Sequence, residues 1–128
     1  MNLLGKREPL LYGSESFEEY FGKLKEIFSE ADLSYKQVNE EGELVEAIHG
    51  GADFDAVVLN PAAFTHTSIA VGDAVAAIQV PVIEVHISNV FSREVYRHHS
   101  FVSKYASAVV VGAGLDGYRM AIDHALRL

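Results

Sequence analysis

The chain has 128 residues, a length that fits one domain, and 49% of them are apolar, which is enough for a buried core. Its formal net charge of -8 argues against nucleic-acid binding, because phosphate backbones bind basic surfaces. Cysteine is absent, which excludes disulfides and thiolate metal sites, and no apolar run reaches the roughly 18 residues of a membrane span. We therefore expect one cytoplasmic domain over residues 1–128, with no nucleic-acid or membrane partner.

The first half of the chain alternates loop, helix and strand patterns. Residues 1–13 contain glycines and a proline without periodicity and are predicted to form a loop. Ser16 with Glu19 is a capping-box pattern that predicts the start of an amphipathic helix. A short, partly polar edge strand is expected at 33–38, and a second helix around 44–48, stopped by two glycines.

The second half carries the predicted sheet. Buried strands are expected at 54–59, 81–87 and 107–111, and helices at 67–78 and 115–126. The strands are continuous Val/Ile runs, which are typical of a parallel sheet covered on both faces. The sequence thus predicts a three-layer α/β domain. The first helix has no strand before it, so either the sheet has four strands with an unusual edge or its first strand is missing from this sequence.

Polar residues follow the strand ends, where parallel α/β sheets bind ligands. Asn60 follows one strand, and Glu84, His86 and Ser88 occupy alternate positions of another, so these last three share a face. A carboxylate beside an imidazole can orient the ring and fix its tautomer. A histidine that only packs in the core remains an alternative.

Three further stretches each allow a structural and a functional interpretation. The segment from Asn60 to Ser68, which contains His66, is either a loop with a threonine capping the next helix or the wall of a polar pocket. Arg93 and Arg97 form either a solvated turn or a clamp for a carboxylate.

The glycine-flanked segment of residues 5–13 is either a plain loop or a lid. Its Tyr12 is then either a packing residue or a base, since a nearby positive charge such as Arg7 would lower the pKa of a phenol. No phosphate-binding glycine motif, nucleophile elbow or helical zinc pair is present. We therefore expect no cofactor and no metal.

Four ordered blocks together resemble the type II 3-dehydroquinate dehydratases. They are NLLGKREPLLYG at 2–13, LNPAAFTHTSIAVGDA at 59–74, VPVIEVHISNVFSREVYRHHS at 80–100 and VVVGAGLDGY at 109–118. The resemblance implies a flavodoxin-like fold and a homo-oligomer, a dodecamer built from trimers. It also implies a hydro-lyase of the shikimate pathway. That enzyme removes water from 3-dehydroquinate through an enolate, giving 3-dehydroshikimate without metal or Schiff base.

The same resemblance implies a role for individual residues. Tyr12 would be the base, with Arg7 favouring its phenolate, and His86 would be the general acid, oriented by Glu84. The substrate carboxylate would meet the backbone N–H groups of Ile87 and Ser88, and Asp73 would reach across a trimer interface. The remaining substrate-binding residues would be Asn60, His66, Arg97 and the supporting Arg93.

Two departures from the family pattern affect these expectations. Relatives begin with a strand and an asparagine that would precede Met1, and losing such an oxyanion-type donor can cost about 10²–10³ in rate. Gly72 stands where many relatives carry arginine. A truncated, non-catalytic relative is therefore the alternative function, and a small-ligand binding module of the same fold is a third.

Overall fold

The computed structural model describes residues 16–128, and within them three parallel strands form a sheet in the order β1-β2-β3. The strands are β1 (Val57–Leu59), β2 (Val82–His86) and β3 (Ala108–Val111). The helices are α1 (Phe17–Ile27), α2 (Glu41–Gly50), α3 (Phe64–Thr67), α4 (Ile69–Ala77) and α5 (Asp116–Leu126). Single turns of 3-10 helix lie at Gly51–Asp53, Val90–Ser92 and Val95–Arg97. No helix of this part of the chain is long and apolar enough to cross a membrane.

Helices cover both faces of the sheet, which confirms the predicted α/β architecture. Ile83 and Val85 of β2 pack with buried residues of α1 and α5 on one face. Val82, on the opposite face of the same strand, packs with buried residues of α2 and α4. This division follows from the two-residue period of a strand, which sends successive side chains to opposite sides. Glu84 therefore lies on the α2–α4 face, in register with Leu59 of β1 and Val109 of β3.

The helix predicted after Ser16 is present and is capped as its sequence indicates. The Glu19 amide donates to Ser16 Oγ at 3.1 Å, which satisfies one of the free N–H groups of the first turn. Phe17, the first helical residue, is buried and meets the rings of Tyr35 and Tyr118 edge-on, each at 5.1 Å between centroids. These contacts fix α1 against α5 and against the chain that follows α1.

The prediction of a strand at 33–38 is wrong. Burial alternates along these residues, as expected of an extended chain with one face inward, but they form no strand. A cavity of about 430 Å³ is lined by residues of this segment, Ser34–Lys36 and Val38, and by residues 56–60. Within the described residues the sheet consists of β1, β2 and β3, and this segment pairs with none of them.

Two other predicted elements are shorter than expected. The helix predicted at 67–78 is α4, which begins only at Ile69 because the backbone of Ser68 is extended, and the short helix α3 before it was not predicted. Ser68, rather than a threonine, caps α4, since its Oγ accepts the Val71 amide at 3.0 Å. The strand predicted at 54–59 begins only at Val57, because a 3-10 turn precedes it and Phe54 is half exposed.

Gly72 allows helix α4 to approach the turn formed by residues 100–103, here called the serine turn. A Cβ at position 72 would lie 2.4 Å from the carbonyl oxygen of Phe101, closer than real contacts allow. The Phe101 amide also donates to the Thr65 carbonyl at 2.9 Å. The serine turn therefore lies closer to helix α4 than a side chain at position 72 would allow.

We predict that Gly72→Ala lowers the free energy of unfolding by about 1–3 kcal/mol, because a backbone carbonyl must move to admit the methyl group. Gly22→Ala is the matched control. It lies on an exposed part of α1 with no atom within 4 Å of the added Cβ, and should stabilise by about 0.5–1 kcal/mol. Urea unfolding of both variants measures this. Equal stability of the two variants would contradict the close approach.

Candidate active site

Buried polar side chains gather at the carboxyl ends of β1 and β2. Asn60 directly follows β1, Glu84 is the central residue of β2 and His86 is its last; all three are at most 6% exposed. The two strand ends lie side by side, since Leu59 pairs with Glu84. The ring of His66, from helix α3, faces the ring of His86 at 6.2 Å between centroids with an interplanar angle of 24°. The sequence-predicted strand-end cluster is therefore assembled by the fold.

Glu84 and His86 are in direct contact. His86 Nε2 donates to Glu84 Oε2 in a short hydrogen bond, as expected from two residues on the same face of a strand. An ionised carboxylate only accepts hydrogen bonds, so the proton of this bond belongs to Nε2. Nδ1 is the ring nitrogen that Glu84 does not engage.

The carboxylate of Glu84 also accepts hydrogen bonds from two serines of the serine turn. Ser103 Oγ donates to Oε1 at 2.6 Å, and Ser100 Oγ donates to Oε2 at 3.1 Å. Burial acts to raise the pKa of Glu84. The hydrogen bonds from His86, Ser103 and Ser100, with the charge of His86, outweigh burial and hold that pKa below its ordinary value. The buried group is thus an ionised carboxylate at neutral pH.

His66 is held in a defined tautomer by the backbone. Its Nδ1 lies 2.7 Å from the carbonyl oxygen of His99. A carbonyl accepts but does not donate, so Nδ1 carries the proton and the Nε2 lone pair of the neutral ring can accept from a ligand. The expected pocket-wall position of His66 agrees with its half-buried side chain beside His86.

Asn60 is oriented by both ends of its amide. Oδ1 accepts the Ala62 N–H at 3.0 Å, and Nδ2 donates to Tyr118 Oη at 2.9 Å. Ala62 has a φ of 52°, in the left-handed region that favours glycine, so this loop is held in a tight turn. Asn60 keeps one amide N–H for a ligand. Tyr118 was not predicted as a partner, because it lies 58 residues away in the sequence.

The end of β2 is held by the glycine turn that follows β3. The Gly112 amide donates to the His86 carbonyl and the Gly114 amide to the Ile87 carbonyl, both at 3.0 Å. Both glycines have positive φ, 85° and 63°, which side chains rarely adopt. Ile87 is buried and Ser88 is half-buried, so the predicted anion-binding amides lie on a backbone that these contacts fix.

The predicted arginine clamp lies on irregular chain. Arg93 and Arg97 do not share a continuous helix, because this stretch forms separate 3-10 turns. Arg97 Nε donates to Glu94 Oε2 at 2.9 Å, and Arg93 Nε lies 4.0 Å from the same oxygen.

Asp73, which the sequence predicts to act across an interface, is exposed on α4.

Two predicted residues, Tyr12 and Arg7, lie outside the described residues. Within the part of the chain that the structure describes, no three acidic or histidine side chains are grouped to hold a metal ion.

Comparison with known proteins shows which family this chain is similar to. The family model described as dehydroquinase class II matches residues 1–126. A 3-dehydroquinate dehydratase of Tolumonas auensis is 48% identical over 99% of this chain and 86% of its own length. One of Pelotomaculum thermopropionicum is 50% identical over 100% of this chain and 91% of its own. The crystal structure of type II dehydroquinase from Propionibacterium acnes matches with a TM-score of 0.88 and 40% identity, covering 96% of this chain and 88% of that one.

We predict that Glu84→Gln lowers the free energy of unfolding at pH 7 by about 1.5–3 kcal/mol, the typical contribution of a hydrogen bond to a charged group. Because the folded-state pKa of Glu84 is depressed, its contribution is present above the unfolded-state pKa and is lost as pH falls through the folded value. The difference from the wild-type chain should therefore shrink in acid.

The measurement is urea unfolding between neutral and acidic pH. Glu26→Gln, at an exposed position of α1, is the control and should stay within about 0.5 kcal/mol of the wild type. A Glu84→Gln difference that grows as the pH falls would contradict an ionised Glu84.

Proposed function

This chain belongs to the class II dehydroquinase family, and from that premise we propose that it converts 3-dehydroquinate to 3-dehydroshikimate by eliminating water without a metal. The observation that carries this proposal is the buried Glu84–His86 hydrogen bond at the carboxyl end of β2. An elimination requires a proton donor at the departing hydroxyl. His86 can be that donor, and the ionised carboxylate of Glu84 orients its ring. No observation on residues 16–128 favours the non-catalytic alternative.

The proposed reaction needs one base and one acid. Tyr12, as a phenolate favoured by Arg7, takes a proton from the carbon beside the substrate ketone, and the electron pair forms an enolate. The enolate then re-forms the carbonyl as the adjacent carbon–oxygen bond breaks and a new carbon–carbon double bond forms. The hydroxyl leaves as water with a proton from His86, so atoms and charges balance without any redox step.

His86 suits the acid role because its two ring nitrogens have different partners. Nε2 donates to Glu84, so in the protonated, imidazolium form of the ring Nδ1 is the atom that would give its proton to the departing hydroxyl, leaving a neutral ring protonated on Nε2. His66 would accept from a substrate hydroxyl through Nε2, since its Nδ1 is used by the His99 carbonyl. Asn60 would donate its remaining amide N–H to another substrate hydroxyl.

The substrate carboxylate is proposed to bind at the end of β2. The backbone amides of Ile87 and Ser88 would donate to it, since backbone N–H groups are suitable ligands for an anion. Arg97, supported by Arg93, would bind a ring hydroxyl. To do so, the Arg97 guanidinium must either bind the hydroxyl and Glu94 together or release Glu94, its present partner. Asp73 would act in the site of a neighbouring subunit.

We also propose that the chain forms a dodecamer of trimers and acts in the cytoplasm, in the shikimate pathway. Self-association is supported by large apolar side chains that are more than half exposed on α4 and on the chain that follows β2: Ile69, Phe91, Val95 and Tyr96. Exposed apolar groups of this size on neighbouring elements are typical of protein–protein contacts.

The direct test mixes the purified chain with 3-dehydroquinate and follows the ultraviolet absorbance of the conjugated enone product. We expect turnover without added metal and equal turnover with a chelator, because both proton-transfer groups are side chains. Folded protein that leaves 3-dehydroquinate unchanged would contradict the proposed function and favour a non-catalytic relative.

Tyr12→Phe is expected to lower kcat by about 10²–10⁴, the usual contribution of a general base. It should change the dissociation constant of 3-dehydroquinate by less than about threefold, since only the hydroxyl is lost. Steady-state kinetics and calorimetric titration measure the two quantities, and Tyr105→Phe, at a largely exposed position, is the matched control. Wild-type kcat in Tyr12→Phe would exclude this tyrosine as the base.

A further inference from the structure

We propose that Ser100 and Ser103 are positioning residues that act on His86 through Glu84. The inference rests on the proposed function, since it assigns His86 the proton-donor role there. Neither serine is hydrogen-bonded to the imidazole itself. Their hydroxyls fix the carboxylate that in turn fixes the ring.

The two serines and His86 occupy both oxygens of the carboxylate. Ser103 Oγ donates to Oε1 at 2.6 Å, while Oε2 accepts from His86 Nε2 and from Ser100 Oγ at 3.1 Å. Ser100 Oγ also lies 3.4 Å from Oε1, a longer contact than the one to Oε2. A carboxylate held by only one oxygen can rotate about its last side-chain bond. Donors on both oxygens define its plane, and that plane sets the direction in which the imidazole must lie.

The hydroxyl hydrogen of Ser100 is directed at Glu84 by the backbone of the serine turn. The amides of Val102 and Ser103 both donate to Ser100 Oγ at 3.0 Å. A serine hydroxyl has two acceptor positions and one hydrogen, so these two amides use its acceptor capacity. The single hydrogen is left for the carboxylate.

The serine turn is itself held in place by packing. Val102 is fully buried, Phe101 donates its amide to the Thr65 carbonyl, and Gly72 of α4 lies directly under the Phe101 carbonyl. Both serines therefore approach Glu84 from a backbone fixed by the α2–α4 side of the fold. Among the described residues, the charged group that acts on Glu84 is His86 of its own strand, while the partners from the turn are neutral hydroxyls.

The decisive variant is Ser103→Ala, which removes the short hydrogen bond to Oε1, leaves there only the longer 3.4 Å contact of Ser100 Oγ, and keeps the backbone contacts of Ser100 in place. We expect kcat to fall about 10–100-fold, as for other residues that orient a catalytic group, with KM changed by less than about twofold. The acidic limb of the kcat profile should move to higher pH, because a buried carboxylate with fewer donors stays ionised only at higher pH.

Ser103→Thr keeps the hydroxyl and should retain most of the wild-type kcat. If Ser103 acted by packing alone, the presence of the hydroxyl would not decide between a low and a high kcat. Ser107→Ala, at an exposed position before β3, is the matched control and should behave as the wild-type enzyme. Circular dichroism checks that each variant folds. If Ser103→Ala does not fold, Ser103→Cys is measured instead, since its thiol is close in size but a weak donor.

A second readout does not depend on turnover. A ¹³C NMR titration of the Glu84 carboxyl, identified by its absence in Glu84→Gln, should show a higher midpoint in Ser103→Ala than in the wild type. An unchanged midpoint would overturn the proposal whether or not the chain is active. If the wild-type chain is active, an unchanged kcat and pH profile in Ser103→Ala would also overturn the proposal. If the wild-type chain is inactive but the Glu84 midpoint rises in Ser103→Ala, only the proposed function is rejected.

Discussion

The carboxylate of Glu84 is a buried charge, and the arrangement around it determines much of the fold on that side of the sheet. It is fully buried in the middle strand, and an unpaired charge in such a place would cost several kcal/mol. Donors from two separate parts of the chain compensate for this: His86 from the same strand and two serines from the turn at 100–103. The carboxylate can remain charged only where these parts meet.

Several local features are explained by that requirement. In this chain the serine turn lies close against helix α4 at Gly72, where an added Cβ would meet the Phe101 carbonyl. The carboxyl end of β2 is held from its other side by the amides of Gly112 and Gly114. The result is an imidazole with one nitrogen committed to Glu84, next to a second imidazole, His66, whose tautomer is fixed by a backbone carbonyl. In each of the two histidines one ring nitrogen is used by the protein and the other is left for a ligand. The two rings are therefore suited to exchanging protons or hydrogen bonds with one bound substrate.

The sequence predicted those parts of the site that depend on local periodicity. Alternate spacing along β2 placed Glu84 and His86 on one face, and the strand-end position of Asn60 followed from the order of strands and helices. The serines were missed, since Ser100 lies 16 residues beyond Glu84 and nothing in its own neighbourhood indicates which carboxylate it meets. Tyr118 was missed as the partner of Asn60 for the same reason. The incorrect strand at 33–38 shows the converse limit, because alternating burial reports which side faces the core but not whether a neighbouring backbone lies within hydrogen-bond distance.

The most direct test of this account is the tautomer of His86 observed by ¹⁵N NMR of histidine-labelled protein, with the resonances identified from a His86→Asn variant. If Glu84 is an ionised, buried acceptor, the neutral ring carries its proton on Nε2 and Nδ1 has the shift of an unprotonated nitrogen. A neutral ring protonated on Nδ1, with Nε2 unprotonated, would contradict the account, because Glu84 could then not be the charged group that orients the acid.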